Sequence, residues 1–487
     1  MKAIAKKIKV YFLVVVFSAS IFGSFSFVDN YFEVSKNLDI FATLFREVNM
    51  YYVDETKPGD MMKKGLDAML ESLDPYTNYI PESEIEDYRF MTTGQYGGIG
   101  SLIRKRKDQI VISEPYEGYP AYKADLRAGD VILEIDGKSI KGKNQEDISK
   151  VLKGQPNTSV KLLIQREGEK NPIEKVLTRE EIKVKSVPYF GLVNDNVGYM
   201  RLNSFTEDAS SEVKKAFAEL KEKNPNLKGV IFDLRGNPGG LLNEAINISN
   251  LFVDKGLDIV STKGKVQEWN KVYKAVNNPI DVAIPVTVLV NSGSASASEI
   301  VSGALQDLDR AVVIGQRTFG KGLVQTTRPL SYNSQLKVTT AKYYIPSGRC
   351  IQALDYTNRN EDGSVGKVPD SLSTLFKTKG GRPVYDGGGV KPDINLPAKN
   401  YSKIAISLEN KSLIFDYATK YKREHQTIAN AKEFKLSEKE YEEFMAFISD
   451  KDYDYTTKTE KLIKDLKETA SDEKYFTAAE KEFEALQ

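Results

Sequence analysis

Between about Ser186 and Ala398 strands and helices alternate, and no other feature narrows the possible folds as much. VGYMRLNSF reads as a strand and SSEVKKAFAELKEK as an amphipathic helix. GVIFDLRG is a buried strand ending in glycines, and LLNEAINISNLFV a helix. IPVTVLVNSG is an apolar strand, and SEIVSGALQDL a helix. Such an order predicts α/β layers joined by crossover helices. The polar, Gly-rich stretch from Asp355 to Gly389 reads as an insertion or long loop.

The rest of the chain follows other patterns. Residues from about 30 to 90 carry apolar side chains at helical spacing. From Tyr96 to about Arg179, short alternating strands and Gly turns suit a small binding module. After Tyr401, Lys and Glu recur at helical spacing, as on a solvated face. At the N-terminus Lys2, Lys6, Lys7 and Lys9 precede a segment without charge from Val10 through Val28. This pattern predicts an exported chain, and both a cleaved signal and a retained anchor stay open. The expected segments are 1–28 (signal or anchor), 29–90 (helical), 91–180 (strand-rich module), 181–398 (core) and 399–487 (helical extension).

Composition removes whole classes of chemistry. Lys plus Arg number 69 and Asp plus Glu 68, so no global field recruits nucleic acid. One cysteine, Cys350, excludes an internal disulfide framework and a Cys-rich metal site. One histidine, His425, sits among charged residues near the C-terminus, where a solvated surface role suits it. A site of several histidine ligands is excluded, and a Ser-His-Asp hydrolase would depend on this residue.

A base other than histidine is therefore the expectation. NSGSASASEI carries serines at 292, 294, 296 and 298, between an apolar strand and a helix. Ser296 and Glu299 have capping-box spacing, so a plain helix cap is one reading. The same place also suits a nucleophile, because free N–H groups and the helix dipole stabilise an oxyanion. Lys321 lies between Gly320 and Gly322 with Phe319, Leu323 and Val324 beside it. Desolvation lowers a lysine pKa and can make it a base, although an exposed loop lysine would look alike. In an extended segment Gln325 shares a face with Lys321 and could orient its ammonium. In GVIFDLRGNPGGLL, glycines 236, 239 and 240 can aim N–H groups at an anion, and no G-K-[ST] follows to make a P-loop.

Together DLRGNPGG, GSASASEIVSGAL, TFGKGLVQ, YYIPSGR and GVKPD, in this order over roughly residues 40 to 397, resemble one family. It is the C-terminal processing, or tail-specific, serine peptidases of family S41 with an embedded PDZ domain. The resemblance implies an α/β peptidase core of crotonase/ClpP-like type, an inserted PDZ β-domain, and helical N- and C-terminal regions. It implies a Ser-Lys dyad of nucleophile Ser296 and base Lys321, supported by Gln325. The oxyanion hole would use the N–H of Ala297 and that of Gly239 or Gly240. Gly97, Gly98, Ile99 and Gly100 match the PDZ carboxylate-binding loop, which would hold a substrate C-terminus while the peptide adds as a strand. Arg166 is the candidate for a PDZ arginine that gates the active site. Asp125 stands where the family usually has glycine, and Cys350 where serine is more usual.

The implied activity is an endopeptidase of the periplasm or cell envelope that cuts polypeptides near free C-termini, without metal or other cofactor. An adaptor protein and a homo-oligomer through the helical regions stay open as partners. The alternative from another class is an envelope scaffold in which the PDZ module binds peptides and the dyad is silent. A β-lactamase-like Ser-Lys acyltransferase fits less well, because its lysine should fall three residues after the serine.

Overall fold

The computed structural model describes residues 31–486 apart from 361, 426 and 454–456. The expected signal or anchor at 1–28 lies outside the described residues. The described chain divides into two compact units, which are treated separately: residues up to Tyr79 with Thr327–Val338, and Ile80–Thr326 with the residues from Thr339 on.

The larger unit is built on a six-stranded sheet. Its order is Tyr189–Asn194, Val197–Arg201, Gly229–Asp233, Val286–Val290, Ala311–Gly315 and Ile394–Asn395. Only the first pair is antiparallel. Parallel neighbours require long crossovers, supplied here by the helices Ala209–Lys223, Leu242–Asn250 and Ala297–Asp307. The predicted α/β layering is therefore what forms. The central strands read VIFD and VTVLV because a parallel sheet is covered on both faces. Phe232, Val288, Val313, Ile300, Val301 and Leu305 share one buried core. A second sheet pairs Asp258–Gly264 with Lys271–Lys274 and with Gln335–Tyr344, placing Thr262 opposite Tyr343.

The strand-rich module has its own core, including Ile99, Ile112, Ile148, Leu162 and Ile164. An antiparallel sheet packs there with the helix Gln145–Leu152, whose N-terminus is capped by the Asn144 side chain. The chain enters and leaves this module through one ribbon, Gln95–Gly98 paired with Glu180–Lys183. That pairing lets a whole module be inserted without disturbing the elements on either side.

The C-terminal helices have a third, smaller core at Leu408, Leu413 and Ile448. Tyr417 adds edge contacts with Phe444, and capping boxes start the helices Glu438–Ile448 and Lys458–Asp472. The helix Leu413–Glu424 rests on the strand-rich module. The Arg104 guanidinium lies 4.0 Å from the Phe415 ring centroid, and Arg106 pairs with Asp416 at 2.7 Å.

The stretch 355–389 departs from a loop. Leu354–Arg359 pairs with Val365–Lys367, and Leu375–Lys377 with Pro383–Tyr385. Gly363 and Gly381 supply the left-handed turn positions, at φ +80° and +89°. The smaller unit contains a helix at 31–51 and the helix Pro58–Glu71. Phe32, Leu38, Phe41 and Leu44 on the first helix are exposed. Among the described residues no helix is long and apolar enough to cross a membrane.

Phe232 is fully buried in the central strand. Phe232→Ala is expected to destabilise the larger unit by about 3–5 kcal/mol, read from its chemical denaturation midpoint.

Candidate active site

The serine cluster lies between the strand Val286–Val290 and the helix Ala297–Asp307. The structure separates its members by what their hydroxyls do. Ser294, fully buried, donates to the Leu234 carbonyl at 2.8 Å, and Ser298 to the Asn237 carbonyl at 2.9 Å. Both tie the cluster to the Gly turn. Ser292 is exposed in the preceding turn. Ser296 is half-buried at the helix N-cap. It and Glu299 take the two places of a capping box, yet the Glu299 N–H points to the Ser296 carbonyl at 2.8 Å. The Ser296 hydroxyl faces that N–H only as an acceptor at the helix start and donates to no group among the described residues.

Ser296 has φ +55° and ψ −112°, a conformation unusual for a residue with a Cβ. Such strain costs about 1–3 kcal/mol and persists only where the surroundings impose it. Here they do. Glu299 is fully buried, and its two carboxylate oxygens accept four hydrogen bonds. One takes Thr318 Oγ1 and the Gly320 N–H (2.7 Å). The other takes the Ser296 N–H (2.9 Å) and the Lys321 N–H (2.8 Å). A single carboxylate thus joins the backbones of the expected nucleophile and the expected base.

The lysine loop is fixed throughout. Gly322 N–H donates to Gln352 Oε1 at 2.7 Å, and Ala353 N–H to the Gly320 carbonyl at 2.9 Å. Gly320, at φ +90°, has no room for a side chain, since a Cβ would meet that of Ala353 at 2.4 Å. Gln325 lies in the strand Leu323–Pro329 and donates through Nε2 to Thr339 Oγ1 at 3.1 Å. That leaves its amide oxygen as an acceptor.

The Gly turn is held by buried Asn237, which donates to the Leu202 carbonyl and accepts the Gly239 N–H. Just before it, Asp233 binds Arg235 through both oxygens and accepts from Tyr199. Burial would raise the Asp233 carboxyl, but these partners hold it below its ordinary range. Gly239, at φ +104°, lies against the serine: a Cβ there would meet the Ala295 carbonyl at 2.8 Å, Ser296 Cβ at 2.9 Å and Ala297 N at 3.0 Å. Of the two glycines left open by the sequence, Gly239 spends its N–H on Asn237. The N–H groups of Ala297 and Gly240 make no hydrogen bond among the described residues.

The remaining predicted residues lie in the strand-rich module or beyond. Gly97 and Gly98 belong to the entry strand, and Ile99 and Gly100 form the turn that follows. Arg166 pairs with Asp130 at 2.8 Å and Asp125 at 3.0 Å, with its side chain only 13% exposed. These partners all lie within the module, and one is the residue that departs from the usual glycine. His425 stacks on Tyr421 in the C-terminal helices. Burial pushes the Cys350 thiol up, which suits an inert side chain.

The family model described as Peptidase family S41 matches residues 196–358, a PDZ domain model matches 111–166, and one for the C-terminal helical domain of a probable PDZ-protease matches 404–487. A carboxy-terminal-processing protease of Bartonella bacilliformis is 40% identical over 324 residues, 66% of this chain and 74% of that protein. A probable CtpA-like serine protease of Staphylococcus aureus is 35% identical over 389 residues, 78% of this chain and 75% of that protein. Among solved structures, a photosystem II D1 C-terminal processing protease shares 30% identity over 73% of this chain and 86% of its own, with a TM-score of 0.38.

Fold and relatives together define a serine-type peptidase with an α/β core and an embedded PDZ domain. The chain belongs to peptidase family S41, the carboxy-terminal-processing proteases.

Gly239→Ala is expected to cut turnover at least tenfold with little change in peptide affinity, measured by steady-state kinetics, because its Cβ would displace Ser296 and Ala297. Burial pushes the Glu299 carboxyl up to about 7 from an ordinary 4.5, against the opposing pull of its four donors. The titratable groups beside it are Lys321, held at its backbone, and Tyr343, whose own titration is raised by burial and then by Glu299. Protonation puts a hydrogen on an oxygen that serves two donors, so activity should fall as pH drops through about 7. Stability runs the other way. A carboxyl with a raised folded-state value contributes stability that is fully present below about 4.5 and lost as pH rises through about 7. Thermal unfolding across that window should show this trend in the wild type and lack it in Glu299→Gln.

Proposed function

We propose that this chain is an exported serine endopeptidase that cleaves envelope polypeptides near their C-termini with a Ser296–Lys321 dyad. Ser296 Oγ attacks the scissile carbonyl carbon while neutral Lys321 Nζ takes the hydroxyl proton. Collapse of the tetrahedral species breaks the C–N bond, and the same proton passes to the leaving amine. Lys321 then deprotonates a water, which attacks the acyl-enzyme; the new carboxyl terminus departs and the proton returns to Ser296. The oxyanion is met by the Ala297 N–H at the helix start, with the Gly240 N–H as its partner from the Gly turn. Gly239 serves that hole by lacking a side chain.

The observation that carries this reading is the different use of the cluster serines. Ser294 and Ser298 spend their hydroxyls on the Gly turn. Ser296 keeps its hydroxyl proton undonated among the described residues, beside the unspent Ala297 N–H, and shares the Glu299 carboxylate with Lys321. Gln325, whose Nε2 is spent on Thr339, would accept from the lysine through its amide oxygen and limit its rotation. The PDZ domain would bind the substrate's free C-terminus at the Ile99–Gly100 turn. Main-chain pairing along the strand Ser101–Arg106 would tolerate many tail sequences. Arg166 could contact another domain only by leaving Asp125 and Asp130. Export rests on the basic, then uncharged, N-terminal sequence.

Ser296→Ala and Lys321→Ala are each expected to abolish cleavage of a peptide with a free C-terminus, with the cooperative unfolding transition retained. Full cleavage by either purified variant would overturn the dyad.

A further inference from the structure

Tyr343 stands at the end of the strand Gln335–Tyr344 and is 1% exposed. Its hydroxyl lies 2.7 Å from the Lys321 carbonyl and 3.1 Å from the Ser296 carbonyl. One O–H shared between two acceptors is a three-centre bond, closer here to the lysine. The Tyr343 N–H also donates to the Gly322 carbonyl at 2.9 Å. With Glu299, Gln352 and Ala353, this gives every backbone N–H and C=O of Gly320, Lys321 and Gly322 a partner.

The hold on carbonyls complements the Glu299 hold on amides. The N–H of Lys321 lies in the peptide plane before its Cα and the C=O in the plane after it. Fixing both fixes φ and ψ, and so the direction in which the side chain leaves the backbone. The same is true of Ser296, whose N–H is held by Glu299 and whose carbonyl is held by Tyr343 and the first turn of the helix. A planar trans peptide also points the Ala297 N–H opposite to the Ser296 C=O. The hydroxyl on that carbonyl therefore sets the aim of the N–H at the helix start. Burial, and then the Glu299 carboxylate, hold the phenol well above its ordinary range, so it stays a donor.

Resting on the dyad reading above, we propose that Tyr343 is a positioning residue whose hydroxyl sets the register of Ser296, Lys321 and the Ala297 N–H. It touches neither substrate nor the reacting atoms. It matters most where geometry is most demanding, in the tetrahedral species, and little for ground-state binding.

The test uses the purified full chain with Tyr343→Phe, which keeps the buried ring and removes the hydroxyl. On a peptide with a free C-terminus, kcat should fall roughly 10²-fold, the scale of a misplaced catalytic group, with KM unchanged. Labelling of Ser296 by an active-site-directed acylating probe, normalised to the folded fraction from circular dichroism, should slow by a similar factor. Thr340→Val removes a hydroxyl of the same strand that pairs with Thr326 at the exposed face, and should keep wild-type kcat. Wild-type kcat in Tyr343→Phe, while Ser296→Ala and Lys321→Ala are inactive, would overturn the inference. So would a loss accounted for wholly by a lower folded fraction, or an equal loss in Thr340→Val. Activity surviving in Ser296→Ala or Lys321→Ala would instead overturn the dyad reading.

Discussion

The arrangement depends on one buried carboxylate. Glu299 has no exposure, sits in the first turn of the helix that follows Ser296, and accepts four hydrogen bonds from two segments of the site, Ser296 and residues 318–321. A bare buried carboxylate would be very costly, and it is the four donors that make this one tolerable. In return it binds the Ser296 turn and the Lys321 loop to a common point. Those segments come from different strand ends, and parallel-sheet topology alone would leave their spacing to loop conformation. Tyr343 makes the matching connection on the carbonyl side.

The strain at Ser296 has the same origin. A non-glycine residue at φ +55° relaxes unless both flanking peptide planes are held. Glu299 holds one, and the helix start with Tyr343 holds the other. Behind them the Ser294 and Ser298 hydroxyls pin the cluster to the Gly turn, and Asn237 pins that turn to Leu202. The small residues of the sequence follow from this crowding. At Gly239 and Gly320 any Cβ would strike the backbone or side chains that form the site.

Much of this was legible in the sequence. The period of apolar residues gave the α/β order, because parallel strands and crossover helices have distinct signatures. The scarcity of histidine turned attention to Lys321, and the ordered motifs identified the family. The family pattern singled out Ser296 among the four serines, and the structure adds that Ser294 and Ser298 donate their hydroxyls to the Gly turn. The pattern left two glycines open, and the structure adds that Asn237 takes the N–H of Gly239. Glu299 was visible only as a helix-start residue. Its capping-box spacing predicted a contact with Ser296 but could not reveal that the other donors come from residues 318–321. Tyr343 and Asn237 stand inside the quoted motifs YYIPSGR and DLRGNPGG, but their contacts, like those of Gln352, carried no signal, because their partners are distant in sequence and meet only when the sheets close. The paired strands within 355–389 were missed for another reason: strands that short lack enough residues to show a period.

The central claim is that Ser296 is a nucleophile made competent by Lys321 within this rigid frame. The most direct measurement is the rate and position of covalent labelling by an active-site-directed acylating probe, mapped by peptide mass spectrometry in the wild type and in Lys321→Ala. The account predicts one adduct, on Ser296, whose formation is lost in the lysine variant. An adduct on another residue, or undiminished labelling of Ser296 without Lys321, would contradict it.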